Sequence, residues 1–277
     1  MKQSFLFLFL SGCLAAPQVG VLVEPGVGRA VFETRTAGTD LIPVTVLFPA
    51  RENGSLDGKA RPAVVYIQGG FVSTARYEWQ ARELVKAGYV VALPENALQL
   101  AFFSIDAGEA ARRLLVSPPR GSLLEGSVDS ARIGVAGHSL GSVVALKLAL
   151  NGQFAAVALE AGFPDTADVS MLPAFTKPSL SLAGSLDCSA KLDGVREGWG
   201  SLSSPTALSV LEGVTHYQFT DSQAEDDAKG CTPGVSLEEA HARISATLVG
   251  FFDAAIATGT VGQATLEAVP SSMVEVR

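Results

Sequence analysis

Basic residues, histidines, cysteines and long apolar runs are all scarce in this chain. Twenty Lys and Arg stand against 28 Asp and Glu over 277 residues, for a formal net charge of −8. There is no basic stripe and no phosphate-binding Gly-Lys-Ser/Thr loop, which argues against nucleic acid, whose phosphates an acidic surface repels. The three histidines are dispersed and no two cysteines have ligand spacing, so no metal site and no cofactor is expected. The N-terminal apolar run, residues 5–10, is far shorter than the roughly 20 residues of a membrane-spanning helix. What the chain does have is apolar content, 48% of its residues. That is ample core for a sheet covered on both faces. No break in composition and no internal repeat divides it.

Met1 and Lys2 precede the run Phe5-Leu6-Phe7-Leu8-Phe9-Leu10, and Ser11, Gly12 and Cys13 follow. This is the layout of an export signal. Leu10-Ser11-Gly12-Cys13 also resembles the bacterial lipobox, in which the cysteine is lipidated and becomes the mature N-terminus. The resemblance implies a lipoprotein-type signal peptide over 1–12, a linker over 13–28, and an exported protein held to a membrane, on the periplasmic or cell-surface side, through Cys13. The alternative is an ordinary signal cleaved near Ala15-Ala16, giving a secreted protein, although Pro17 makes that site less attractive. Export permits the remaining cysteines, Cys188 and Cys231, to pair as a disulfide. Otherwise they are two buried thiols.

Two strands at 30–34 and 41–48, separated by Ala37-Gly38-Thr39-Asp40, read as an antiparallel hairpin, and Pro43 suits an edge strand. Residues 49–62 are a polar loop. Continuous apolar runs at 62–67 and 89–94 fit strands buried on both faces, with a helix over 78–87 between them. A helical segment over 96–115, a strand at 133–136, a helix over 143–150, and strands at 155–159, 179–183 and 207–211 continue the series. An amphipathic helix over 237–257 ends it. Such alternation after a hairpin predicts an α/β fold with a mostly parallel sheet and helices on both faces. Only a short loop, 162–178, joins the strands at 155 and 179, so no lid domain fits there and an open active face is expected.

Gly137-His138-Ser139-Leu140-Gly141 lies between an apolar strand and an apolar helix, the context of a G-x-S-x-G nucleophile elbow. A serine hydroxyl needs a base to take its proton. His138 sits inside the elbow, where a side chain points away from the nucleophile, and His241 lies in a charged first helical turn that reads as surface. Elimination leaves His216, on the loop after the last parallel strand. For the carboxylate that orients it, Asp187 follows the strand at 179–183 and stands after the serine and before the histidine. Glu160, one strand earlier, competes for this role, with Asp165 and Asp193 behind it. The oxyanion donors expected are the backbone N–H groups of Leu140 and Phe71, with Gly70 possible for the second.

With Gly137 to Gly141, Gln68-Gly69-Gly70-Phe71, Ala183-Gly184-Ser185-Leu186-Asp187 and Glu212-Gly213-Val214-Thr215-His216 in place, the chain resembles the α/β-hydrolase superfamily. The similarity is to its lidless branch of dienelactone hydrolase-like, chlorophyllase-like and bacterial cutinase or polyester hydrolase-like enzymes. The resemblance implies an α/β-hydrolase domain over 29–257, followed by a C-terminal tail over 258–277. It also implies a serine ester hydrolase with a Ser139-His216-Asp187 triad acting on a small-molecule, lipid or polymer ester. A Gly-aromatic pair in the polyester hydrolases supports Phe71 as an oxyanion donor. Gln68 and the spacing of Cys188 and Cys231 depart from the pattern and leave the substrate open. An acyltransferase or peptidase would use the same triad, and a binding lipoprotein could reuse the scaffold.

Overall fold

The computed structural model describes residues 20–56, 58, 60–95 and 104–277. Cys13, the signal segment 1–12 and the start of the helix expected from 96 lie outside the described residues. Ten strands form one sheet: β1 (Val21–Glu24), β2 (Val27–Arg35), β3 (Leu41–Pro49), β4 (Arg61–Ile67), β5 (Val90–Pro94), β6 (Val128–His138), β7 (Val157–Glu160), β8 (Ser179–Gly184), β9 (Thr206–Leu211) and β10 (Ser272–Val276). Their order across the sheet is β1-β2-β3-β5-β4-β6-β7-β8-β9-β10. From β5 to β9 every neighbouring pair is parallel; the pairs outside that span are antiparallel. This is the mostly parallel sheet with an antiparallel N-terminal hairpin expected from the alternation.

Seven α-helices accompany the strands among the described residues: α1 (Glu78–Lys86), α2 (Ser104–Val116), α3 (Leu140–Leu150), α4 (Leu192–Gly200), α5 (Ala224–Ala228), α6 (Leu237–Thr258) and α7 (Gln263–Glu267). Strand residues alternate between the two faces, and each face has its own core. Val64, Tyr66, Ala136 and Ala158 pack with Leu84 of α1 and with Ile244, Leu248 and Phe251 of α6. Val65, Ile67, Val135 and Val157 pack with Ala110 and Leu114 of α2 and with Val144 and Leu148 of α3. Crossovers to both faces bring the carboxyl ends of β4, β6, β7, β8 and β9 to one rim of the sheet, where ligand sites of open α/β sheets lie. Between β7 and β8 there are only two short 3-10 turns, Thr166–Asp168 and Leu172–Ala174.

Three expectations need correction. Pro43 is not on an edge: β3 lies between β2 and β5. It is tolerated because it lies one residue beyond the last pair of the β3–β5 ladder, Val44 with Pro94, where its carbonyl accepts the Glu95 N–H at 3.0 Å and only a terminal donor is missing. The linker expected over 13–28 already contains β1 and the start of β2. The tail expected over 258–277 carries α7 and β10, which pairs with β9 through all five of its residues and closes that edge. Val274 and Val276 pack against the core while Met273 faces outward, so burial of an alternating strand draws the segment into the domain.

Candidate active site

The elbow is built by close contact between backbones. Ser139 follows β6 with φ 56° and ψ −123°, a conformation that costs a non-glycine residue about 1 to 3 kcal/mol. Gly137 and Gly141 make room for it. A Cβ on Gly137 would meet the Gly141 carbonyl oxygen at 2.2 Å, and one on Gly141 would meet the Gln68 and Ile67 carbonyl oxygens at 2.4 Å. The Ser139 N–H donates to the Glu160 carbonyl at 2.8 Å, and the Ser142 hydroxyl donates to the Ser139 carbonyl at 2.6 Å. The turn is thereby fixed to β7 and to α3.

His216 and Asp187 stand on the loops after β9 and β8. Those loops are laced together: Leu186 N–H donates to the Val214 carbonyl at 3.0 Å, and Gly213 N–H to the Ser185 hydroxyl at 2.9 Å. A Cβ on Gly184 would meet the Val214 carbonyl oxygen at 2.3 Å, so glycine is needed for this approach. Cys188 and Cys231 form a disulfide across 43 residues, tying the chain beside Asp187 to the segment after α5. The Gln218 side chain accepts from Thr215 N–H and donates to the Val235 carbonyl, bracing the 3-10 turn that follows His216.

These elements bring Ser139, His216 and Asp187 together. His216 Nε2 lies 3.0 Å from Ser139 Oγ, and His216 Nδ1 lies 2.8 Å from Asp187 Oδ2. The other carboxylate oxygen of Asp187 accepts the N–H groups of Ser189 and Ala190, each at 2.7 Å. An ionised carboxylate can only accept, so Nδ1 carries the imidazole proton and the Nε2 lone pair faces the serine hydroxyl. The Asp187 and His216 side chains are buried, which strengthens these contacts relative to water.

The segments that carry Phe71 and Leu140 meet beside the elbow, through Gly70. Leu140 N–H is the first of α3 and has no acceptor within the helix. Phe71 has φ 60° and is 76% exposed. A Cβ on Gly70 would meet Leu140 Cδ1 at 2.6 Å, so the two segments are in contact. Gly69 N–H is already committed to the Tyr77 hydroxyl at 3.0 Å.

The competing acids are elsewhere. Glu160 is fully buried on β7, where its Oε2 accepts from the Tyr66 hydroxyl at 2.7 Å and from Gln80 Nε2 at 3.0 Å. Burial pushes its pKa up to about 7 against these two donors. Asp165 pairs with Lys147 and caps a 3-10 turn, and Asp193 is exposed at the start of α4. A carboxylate that the sequence reading passed over, Asp226, is buried behind the histidine loop and accepts the Tyr217 N–H at 2.6 Å. Burial raises its pKa. His138 is buried, as its place in the elbow implied, and burial, followed by the nearby His216, holds its pKa well below the ordinary value. His241 is not the surface residue expected: its ring stacks on Trp79 at 3.6 Å, and Nε2 donates to the Thr220 carbonyl at 2.8 Å. A groove of about 810 Å³ between α1 and α6 is lined by Trp79, Arg82, His241 and Asp253 and touches no residue of the Ser139 site. No cluster of potential metal ligands occurs among the described residues.

Residues 63–233, more than half of the chain, match the sequence profile of the Alpha/beta hydrolase family. No curated protein matches the chain.

Proposed function

The chain belongs to the alpha/beta hydrolase family, and from that premise we propose that it is a serine-dependent carboxylic ester hydrolase working through an acyl-enzyme. The observation that carries the reading is the unbroken line from Asp187 Oδ2 to His216 Nδ1 at 2.8 Å and from His216 Nε2 to Ser139 Oγ at 3.0 Å. Ser139 Oγ attacks the ester carbonyl as His216 takes its proton. Asp187 holds the tautomer and stabilises the imidazolium. The oxyanion receives the N–H groups of Leu140 and Phe71, each worth about 3 kcal/mol to the transition state. His216 then gives its proton to the departing alcohol. It next takes one from water, which attacks the acyl carbonyl, and returns that proton to Ser139 Oγ as the Oγ–acyl bond breaks and the carboxylic acid departs.

Four apolar side chains are exposed around the elbow. Phe71 and Leu140 flank the oxyanion position, Leu186 precedes Asp187, and Phe163 follows Gly162, whose Cβ position lies 2.7 Å from the Ser139 carbonyl oxygen. An apolar rim on an open site suits esters whose acyl or alcohol part is apolar. The test is hydrolysis of p-nitrophenyl esters of increasing acyl length, combined with labelling by a fluorophosphonate. Wild type should turn over the esters and take the label, and Ser139→Ala should do neither. Equal labelling of the two proteins would overturn the assignment of Ser139, and inactivity of wild type across the whole series would overturn the ester hydrolase.

A further inference from the structure

The residue before the nucleophile, His138, belongs to no step of that reaction, yet its buried imidazole is bonded at both nitrogens. Nδ1 lies 2.9 Å from the Tyr77 hydroxyl, and Nε2 lies 3.1 Å from the carbonyl oxygen of His216. The Tyr77 hydroxyl in turn receives the Gly69 N–H at 3.0 Å. The chain of bonds therefore runs from the Gly69-Gly70-Phe71 turn, through Tyr77 and His138, to the backbone of His216. Gly69 N–H can only donate and the His216 carbonyl can only accept, so Nε2 carries a proton; in the neutral imidazole that burial favours, Tyr77 donates its own proton to Nδ1. That arrangement satisfies all three bonds and leaves no charge in the core.

Two further observations set this apart from ordinary core packing. A Cβ at position 69 would lie 2.9 Å from the Tyr77 hydroxyl and 3.0 Å from His138 Nδ1. The turn has no side chain at the point where these bonds pass. The His216 carbonyl has one other donor, Phe219 N–H, at 3.4 Å, so His138 is its main partner. The result is a closed circuit: His138 precedes Ser139 in the chain, its ring holds the His216 backbone, and the His216 ring returns to Ser139 Oγ.

We infer that His138 and Tyr77 are positioning residues that tie the oxyanion turn and the backbone of the catalytic base to one buried frame, setting the distance between them. The inference rests on the proposed triad. It places the work of the strut in the transition state, where the N–H donors at Phe71 and Leu140 and the base at His216 must act on one tetrahedral carbon. A displacement there weakens the transition state while leaving ester binding on the apolar rim unchanged.

The test compares wild type with Tyr77→Phe, His138→Leu and His138→Gln, with kcat expressed per site titrated by a fluorophosphonate so that misfolded protein is not counted. Tyr77→Phe and His138→Leu should lose about tenfold to a hundredfold in kcat with KM within about twofold. His138→Gln, which keeps a donor at the position of Nε2, should recover most of that loss. A kcat per titrated site within about twofold of wild type for both Tyr77→Phe and His138→Leu would overturn the inference. A second measurement does not depend on turnover. Nitrogen NMR should find His138 neutral and protonated at Nε2 from about pH 5 to about pH 8, and the low-field Nδ1–H resonance of His216 should shift in Tyr77→Phe. A His138 that titrates in this range, one protonated at Nδ1, or an unmoved His216 resonance would overturn the inference even if wild type hydrolysed no ester. That inactivity would count separately, against the proposed function.

Discussion

The proposed nucleophile, Ser139, and the proposed acid–base pair, His216 and Asp187, are held in place by different means. Ser139 is fixed by main chain: a strained φ of 56°, glycines on both sides whose Cβ atoms would collide with backbone, and an N–H bonded to the Glu160 carbonyl. Asp187 and His216 need no strain at the histidine, whose φ is −60°. Their loops are held by lacing bonds, a Gln218 brace and the Cys188–Cys231 disulfide. Sterics leave the serine one place to be. The other two residues stand where several separable contacts put them, so changes on their side should divide into those that stop chemistry and those that only loosen the fold.

The largest effect expected from this comparison is that of Asp187→Asn. Asparagine can still accept the Ser189 and Ala190 N–H groups through its amide oxygen, so the loop should keep its shape and the protein its melting temperature. Its NH2 group then faces His216 Nδ1 and drives the imidazole proton to Nε2, where it points at the serine that should be losing one. Turnover should fall by about 10⁴-fold, read as kcat on a p-nitrophenyl ester. A fall of less than about tenfold would mean that another carboxylate orients His216.

Removing the disulfide should separate stability from chemistry on the same side. For the sequence separation of 43 between Cys188 and Cys231, chain entropy gives a loss of about 4 kcal/mol. Cys188→Ser with Cys231→Ser should therefore unfold at markedly lower temperature or denaturant concentration. The bonds from Leu186 N–H to the Val214 carbonyl and from Gly213 N–H to Ser185 remain, so kcat of the folded protein at 25 °C should stay within about threefold of wild type. A large loss of kcat at unchanged fold would show that the cystine positions Asp187, and that the contacts on this side do not act separately.

The same contrast explains what could be read from the amino acids. A strained, backbone-packed turn demands glycines at fixed offsets, so Ser139 was legible from five residues and their flanking apolar runs. His216 was reached because histidine is scarce, and Asp187 because strand order limits which acids reach the rim. The parallel strands were legible as unbroken apolar runs, since both faces are buried. Signals that depend on a distant partner were not. The alternation of Met273, Val274, Glu275 and Val276 was present, but nothing local says that β9 leaves an edge for it to cover. His241 sits among charges in sequence and stacks on Trp79 only after α1 and α6 pack. The strut through Tyr77 and His138 spans 61 positions in the chain and has no motif.

Glu160 provides the smallest effect and places a boundary between the two sides, because its carbonyl serves the serine while its carboxyl touches neither His216 nor Ser139. Its pKa rises from 4.5 to about 7, because burial outweighs the two donors on Oε2. A carboxyl that holds its proton more tightly when folded stabilises the fold fully below about pH 4.5, and that contribution is lost as pH rises through about 7. The shift corresponds to about 3 kcal/mol. His138, paired with Glu160 in the sheet, acts in the opposite sense: burial lowers its pKa below 6.5, so its contribution is present above that value and lost as pH falls. It is present in both wild type and Glu160→Gln, so it cancels when the two are compared. Glutamine cannot ionise. Glu160→Gln should thus gain stability relative to wild type between about pH 5 and about pH 8, by up to about 3 kcal/mol in urea unfolding, with kcat within about tenfold of wild type. A difference in stability that does not change with pH would mean that Glu160 stays ionised in the fold. A loss of kcat as large as that expected for Asp187→Asn would move the carboxyl of Glu160 into the machinery of the acid–base side.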